Sequence, residues 1–147
     1  YCIAGTGLTI SGPSRVTATG VLIYLTCGLY PTPSACQPNQ AGAKLTITNV
    51  ENVTLSPLTS GPDKGIVLFA DRQSTRQQSI NQTDTIALSG TIYLKAGRLR
   101  FDNLSSVAGM KSMVVCDTFS LTNSDPFDIP YTVAQNYAVG GLPALTQ

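Results

Sequence analysis

Asp71 and Arg72 stand side by side at the end of "SGPDKGIVLFADR", directly after five apolar or small residues. A carboxylate and a guanidinium fixed at a strand end could form an acid–base corner. They could also be part of a sugar-cleaving site, in which clustered acids bind Ca²⁺ or act as acid and base. Either chemistry needs more carboxylates on the same face. The 8 acidic residues are scattered, and only Asp125 and Asp128 lie close together near a Pro-containing turn. Histidine is absent, which removes the commonest general base and metal ligand. A zinc site would then need all 4 cysteines, and no Cys-x2-Cys pair exists. "GPDKG" lacks the Gly-x4-Gly-Lys-Ser/Thr spacing of a phosphate loop. The expectation is a structural corner or surface ion pair at Asp71–Arg72. No catalytic, cofactor-binding or metal-binding residue is assigned, no cofactor is expected, and the chain is read as not an enzyme.

The cysteines suit a different use. An even count fits two disulfides, with three possible connectivities. Cys27 and Cys36 bracket the Pro-rich "CGLYPTPSAC", which has little else to hold it, so these two are paired. Closing so short a ring contributes about 2–3 kcal/mol in the chain-entropy picture. Cys116 is expected buried and unreactive, on an inward position shared with Leu25, Phe69 and Leu94. Cys2 should lie about three strand spacings away, roughly 14 Å, beyond the ~7 Å reach of a disulfide. It is therefore expected free or paired outside this chain.

Those positions depend on the elements that carry them. Helical periodicity is nearly absent. Instead, short β-branched runs such as "KLTITN", "GIVLFA", "TIALSGTIYL" and "MVVCDTFSLT" alternate with Gly, Asn, Pro and Asp, and read as strands of four to six residues. They recur in groups of three. The first strand of each group is anchored at Ile10, Ile47, Ile80, Phe101 and Leu121, at intervals of 37, 33, 21 and 20 residues. The shorter intervals give a repeat of about twenty residues, the period of stacked solenoid coils. "TCGLYPTPSACQPNQAGA" and "RQSTRQQ" read as insertions that lengthen the other two.

Two residues after the anchor, Gly12, Asn49, Asn103 and Asn123 tolerate positive φ at a sharp corner, while the Ile80 repeat departs by having Asn81 one place early. The fold class that follows is all-β: a parallel β-solenoid with three short strands per coil and about five coils, spanning residues 1–127. Residues 128–147 form an extended tail for capping or assembly. A β-sandwich also suits short strands at this spacing, but no Asn-Gly or Asp-Gly pair marks a hairpin. In the third strand, Ile23/Leu25, Val67/Phe69, Ile92/Leu94 and Val114/Cys116 are expected to point inward. Tyr24 and Tyr93 should stack outward.

Composition narrows the function. Hydrophobic residues make up 42% and charged residues 12%, with a net charge of +1. That supports a real core and gives no electrostatic case for nucleic acid or an anionic membrane. No apolar run approaches the roughly 18 residues of a transmembrane helix. The abrupt start at "YCIAG" suggests a processed chain, so a membrane link is expected only through a segment absent from it. Sequons occur at Asn52, Asn81 and Asn103, a number expected by chance in so Ser/Thr/Asn-rich a chain. Thr9, Thr17, Thr46 and Thr54 could form a flat outward ladder, although strand threonines are ordinary on a solvent face.

"GLTISGPSRVTATGVLIYLT", "SGPDKGIVLFADR", "LSGTIYL" and "MVVCDTFSLTNSDPF" together resemble the C-terminal region of TadG-like proteins of Flp/Tad pilus assembly. The resemblance runs from about residue 1 to residue 127. Its specific parts are "SGP…GI.LF..DR" and "L.GTIY"; the repeated "ISG" strands add little alone. It implies an extracytoplasmic β-solenoid, at the cell surface or secreted, with a structural role in a pilus system. The partners it implies are other copies or pilus and cell-envelope proteins. The Cys-bounded insertion after Thr26 and the tail after Phe127 depart from the family pattern. The competing class is a carbohydrate-active β-helix enzyme, with glycan or ice binding as a variant.

Overall fold

A computed structural model describes residues 1–28, 34–105, 109–124 and 128–137. Its strands are β1 (Cys2–Ile3), β2 (Gly7–Ser11), β3 (Arg15–Ala18), β4 (Ile23–Leu25), β5 (Lys44–Leu55), β6 (Ile66–Ala70), β7 (Gln77–Ser89), β8 (Thr91–Leu104), β9 (Gly109–Lys111) and β10 (Val114–Thr122). The helical content among the described residues is one 3-10 turn, Val133–Gln135. Every strand pairing is parallel. The protein is therefore all-β, with a ten-stranded parallel sheet of β-helix-like path.

The pairing puts the sequence anchors in one line. Ile10 pairs with Ile47, Ile47 with Ile80, Ile80 with Phe101, and Phe101 with Leu121. A second inward line on the next face joins Val16, Val53 and Ile86. Alternation along each strand explains the arrangement. Leu45, Ile47, Val50, Val53 and Leu55 of β5 are buried, and the residues between them are more exposed.

Strand lengths differ from the expected four to six residues, because β5, β7 and β8 run for 12, 13 and 14 residues. Of these three, β5 and β7 turn the corner after the anchor without leaving the ladder, and one residue accounts for each turn. Positive φ occurs at Gly12 (112°), Asn49 (55°), Gln82 (50°), Asn103 (51°) and Asn123 (48°), always two places after the anchor. The Ile80 repeat thus follows the rule after all, with Gln82 forced into the left-handed region that Gly and Asn adopt at little cost.

The third-strand alignment needs one correction. Val67/Phe69 do not share the inward line of Ile23/Leu25; Leu68 and Ala70 do, by direct pairing. A register irregularity between Ile66 and Leu68 shifts β6 by one residue, and Val67 is buried within it. Phe69 therefore faces outward between Tyr24 and Tyr93, with ring centroids at 5.5 and 5.0 Å.

Two outcomes check this arrangement. Gln82→Asn or Gln82→Gly should raise stability by about 1 kcal/mol in denaturant unfolding, since either residue relieves the left-handed backbone. A loss would place the strain elsewhere. Ile80→Ala should cost about 2–5 kcal/mol, whereas Leu121→Ala, at a position 42% exposed, should cost less than about 1 kcal/mol. Equal costs would contradict the stacking order.

Candidate functional site

Asp71 lies at a corner, and its bonds are those of a turn. Its N–H donates to Leu25 O at 2.9 Å, its carbonyl accepts from Ser74 N–H at 2.9 Å, and Oδ1 accepts from Gln73 N–H at 3.0 Å. Asp71 is buried, Arg72 is exposed, and no ion pair joins them among the described residues. Of the two structural readings, the corner describes the geometry and the surface ion pair does not.

The same corner anchors the first insertion. Cys27 and Cys36 are bonded, with Cα atoms 5.0 Å apart; residues 29–33 between them lie outside the described residues. Thr26 Oγ1 donates to Ser34 O at 2.8 Å. Gln78 is buried under the returning chain: Oε1 accepts from Leu45 N–H at 2.5 Å, and Nε2 donates to Arg76 O and Ala43 O at 3.2 and 3.4 Å. Ser74 Oγ accepts from Gly42 N–H at 3.1 Å, and Arg76 Nε donates to Gly42 O at 3.0 Å. A Cβ at Gly42 would come within 2.8 Å of Ser74 Oγ. These side chains give the main chain of two irregular loops its partners, which is a structural task. Sequence reasoning missed Gln78, although period-2 alternation back from Ile80 places it inward.

Cys2 is exposed and Cys116 half-buried, and neither is bonded. Cys116 does pair with Leu94 on the inward line, but full burial fails because β10 is covered by a strand on one side only. Burial first, then the neighbouring Asp117 carboxylate, push its thiol pKa above the ordinary value. Four pairing steps separate Cys2 from Cys116, β1–β4–β6–β8–β10, rather than three, or about 19 Å.

Two grooves carry polar groups. The larger, about 530 Å³, follows the left-handed corner and is lined by Asn49, Glu51, Gln82, Asp84, Asn103 and Ser105 among others. Glu51 and Asp84 fall between the paired positions Val50/Thr83 and Asn52/Thr85, so they occupy one place on adjacent rungs. Backbones there are about 4.8 Å apart. Both lie four places after an anchor, a repeated acid that the sequence displayed and reasoning passed over. Glu51 is exposed and lies 3.7 Å from the exposed Arg15. The smaller groove, about 290 Å³, lies over Thr46, Thr48, Ser79, Asn81, Arg100 and Asp102. Arg100 Nη2 donates to Asp102 Oδ2 at 2.7 Å. Asp125, the expected neighbour of Asp128, lies outside the described residues. Among the described residues no group of three or more His, Cys, Asp or Glu is placed to hold a metal ion.

The threonines do not make one flat ladder. Thr9 pairs with Thr46 on one face and Thr17 with Thr54 on another, and each line continues into Ser79 or Ala87. Part of the tail is docked on the flank of the stack. Asn136 is buried: Oδ1 accepts from Met113 N–H at 2.6 Å, and Nδ2 donates to Thr132 O and Lys111 O at 2.9 and 3.3 Å. Tyr137 N–H donates to Thr91 Oγ1 at 2.8 Å. Residues 138–147 lie outside the described residues.

Comparison with protein-family models, curated proteins and solved structures finds no match to this chain.

Two measurements follow. Gln78→Ala leaves the Leu45 N–H without its partner and should cost about 2–3 kcal/mol in denaturant unfolding. A loss under 0.5 kcal/mol, in the range of ordinary surface substitutions, would contradict the assigned role. A raised pKa means less thiolate at a given pH, so alkylation of Cys116 should lag that of Cys2 at neutral pH. Asp117→Asn should speed Cys116, and an unchanged rate would remove the carboxylate as a cause.

Proposed function

We propose that the chain is a non-catalytic structural module of an extracytoplasmic assembly, pilus-associated or filament-forming. It is wound as a β-solenoid of three short strands per coil and about five coils over residues 1–127, with residues 128–147 as its tail. One observation carries the reading: the parallel stack ends in open apolar rungs. Ile3, Leu8, Ile10, Val16, Ala18 and Ile23 line a mouth of about 380 Å³ at one end, and Phe119 and Leu121 are 40% and 42% exposed at the other. Unpaired edges backed by apolar surface call for a covering chain. Covering partners are other copies or pilus and cell-envelope proteins. The Cys27–Cys36 bond suits an oxidising compartment, and the TadG-like motifs point the same way.

The second reading, a carbohydrate-active β-helix, draws on Glu51 and Asp84. Their backbones on adjacent rungs, about 4.8 Å apart, would allow carboxyl groups at the roughly 5–5.5 Å used by retaining glycosidases. The open groove and the Arg15 contact of Glu51 favour a solvated corner instead.

Electron microscopy of native material, run beside an assay for sugar release from cell-surface polysaccharides, separates the two. The structural reading expects the chain within filaments or envelope assemblies and no release. Release abolished by Glu51→Gln would overturn it.

A further inference from the structure

Resting on that structural reading, we propose that the chain covering each end is a second copy stacked head to tail. In this arrangement β1 and β2 of one copy continue the parallel ladder on β10 of its neighbour, with Ile3 over Cys116, Leu8 over Phe119 and Ile10 over Leu121.

The register comes from the lines already inside one chain. Ile10 and Leu121 are the two ends of the Ile47–Ile80–Phe101 line. Leu8 pairs with Leu45 and Phe119 with Leu99, which closes a second line through Gln78. Ile3 pairs with Leu25 and Cys116 with Leu94, on the third face. A stacked copy extends all three lines without a shift.

The steps of the two ends also match. The chain enters on the third face at β1 and reaches the first face, at β2, only afterwards. It leaves in the complementary order: β10 passes the third face at Val114–Cys116 and ends on the first face at Thr118–Thr122. Both segments of β10 therefore find a partner strand in β1–β2. The corner lengths agree as well. Lys95, Ala96 and Gly97 separate Leu94 from Arg98 in β8, the strand β10 already pairs with. Ala4, Gly5 and Thr6 separate Ile3 from Gly7, the same spacing. On the second face β9 is level with the β8 rung beneath β10, since both pair with β7, so β3 of the next copy pairs with no described strand there.

Neither β2 nor β10 carries the Lys or Pro of a protected edge strand: β2 is uncharged, and the one charge in β10 is Asp117, at the corner between its two segments. Parallel pairing is also directional, so it joins one end to the other end and never an end to itself; the contact is heterologous and propagates.

Cross-linking tests the register. In a chain carrying Cys2→Ser and Ile3→Cys, the introduced thiol would sit about 4.8 Å by Cα from Cys116 of the next copy, inside disulfide range. Oxidised glutathione should then give a reduction-sensitive ladder of dimers and higher oligomers, lost on Cys116→Ser. End-blocking tests the polarity. Leu121→Lys and Ile10→Lys, each checked for fold by circular dichroism, should be monomeric alone in sedimentation and form only dimers when mixed. Three results would overturn the proposal: cross-links independent of Cys116, self-association of the Leu121→Lys chain, or an unmutated chain that stays monomeric with no ladder. A monomer that releases no sugar from polysaccharides defeats this stacking alone and leaves the structural reading to a different covering chain.

Discussion

The parallel main-chain ladder, kept in register by one left-handed residue at a repeated corner, is the constraint from which the rest follows. A single rung of short strands cannot bury its apolar side chains; only the rungs above and below can cover them. The chain must therefore turn sharply while its N–H and C=O groups stay aligned with those of the adjacent strands. Gly12, Asn49, Gln82, Asn103 and Asn123 make that turn, which is why β5 and β7 pass through it as continuous strands. The Cys-bounded insertion and the segment between β6 and β7 leave the ladder at a different corner. There they need partners of their own, supplied by the Cys27–Cys36 bond and the side chains of Ser74, Arg76 and Gln78.

The parts of this plan that repeat were legible in the sequence. Ile10, Ile47, Ile80, Phe101 and Leu121 could be lined up because each precedes the same corner, and four of the five corners carry Gly or Asn. Gln82 escaped notice because its residue type does not announce a left-handed backbone. "GIVLFA" was misaligned by one residue for a different reason: a run apolar on both faces has no alternation to fix its register, and a bulge then decides it. Asn136 was illegible, since its partners are main-chain groups of distant corners that leave no pattern in sequence. Gly65 shows the consequence, because a Cβ there would come within 2.5 Å of the Asn136 main chain.

The candidate sites divide along the same line. The corner at Asp71 and the buried amide of Gln78 serve the chain's own backbone. Phe69 stacks on Tyr93, only 10° from parallel, and packs tilted at 60° against Tyr24, so these three rings spend their surface on one another within the ladder. What remains unspent is at the two ends, where strand edges and apolar side chains have no strand partner among the described residues. The few charges, 12% of residues, do little to shield them.

A double-mutant cycle between neighbouring rungs tests the ladder most directly. Ile47→Val and Ile80→Val sit on adjacent rungs of the same line, and their unfolding free energies should be non-additive by about 0.5 kcal/mol or more. Ile10→Val and Phe101→Val, three rungs or about 14 Å apart, should add within error. Additivity in the first pair together with coupling in the second would mean that the strands are not stacked in this order.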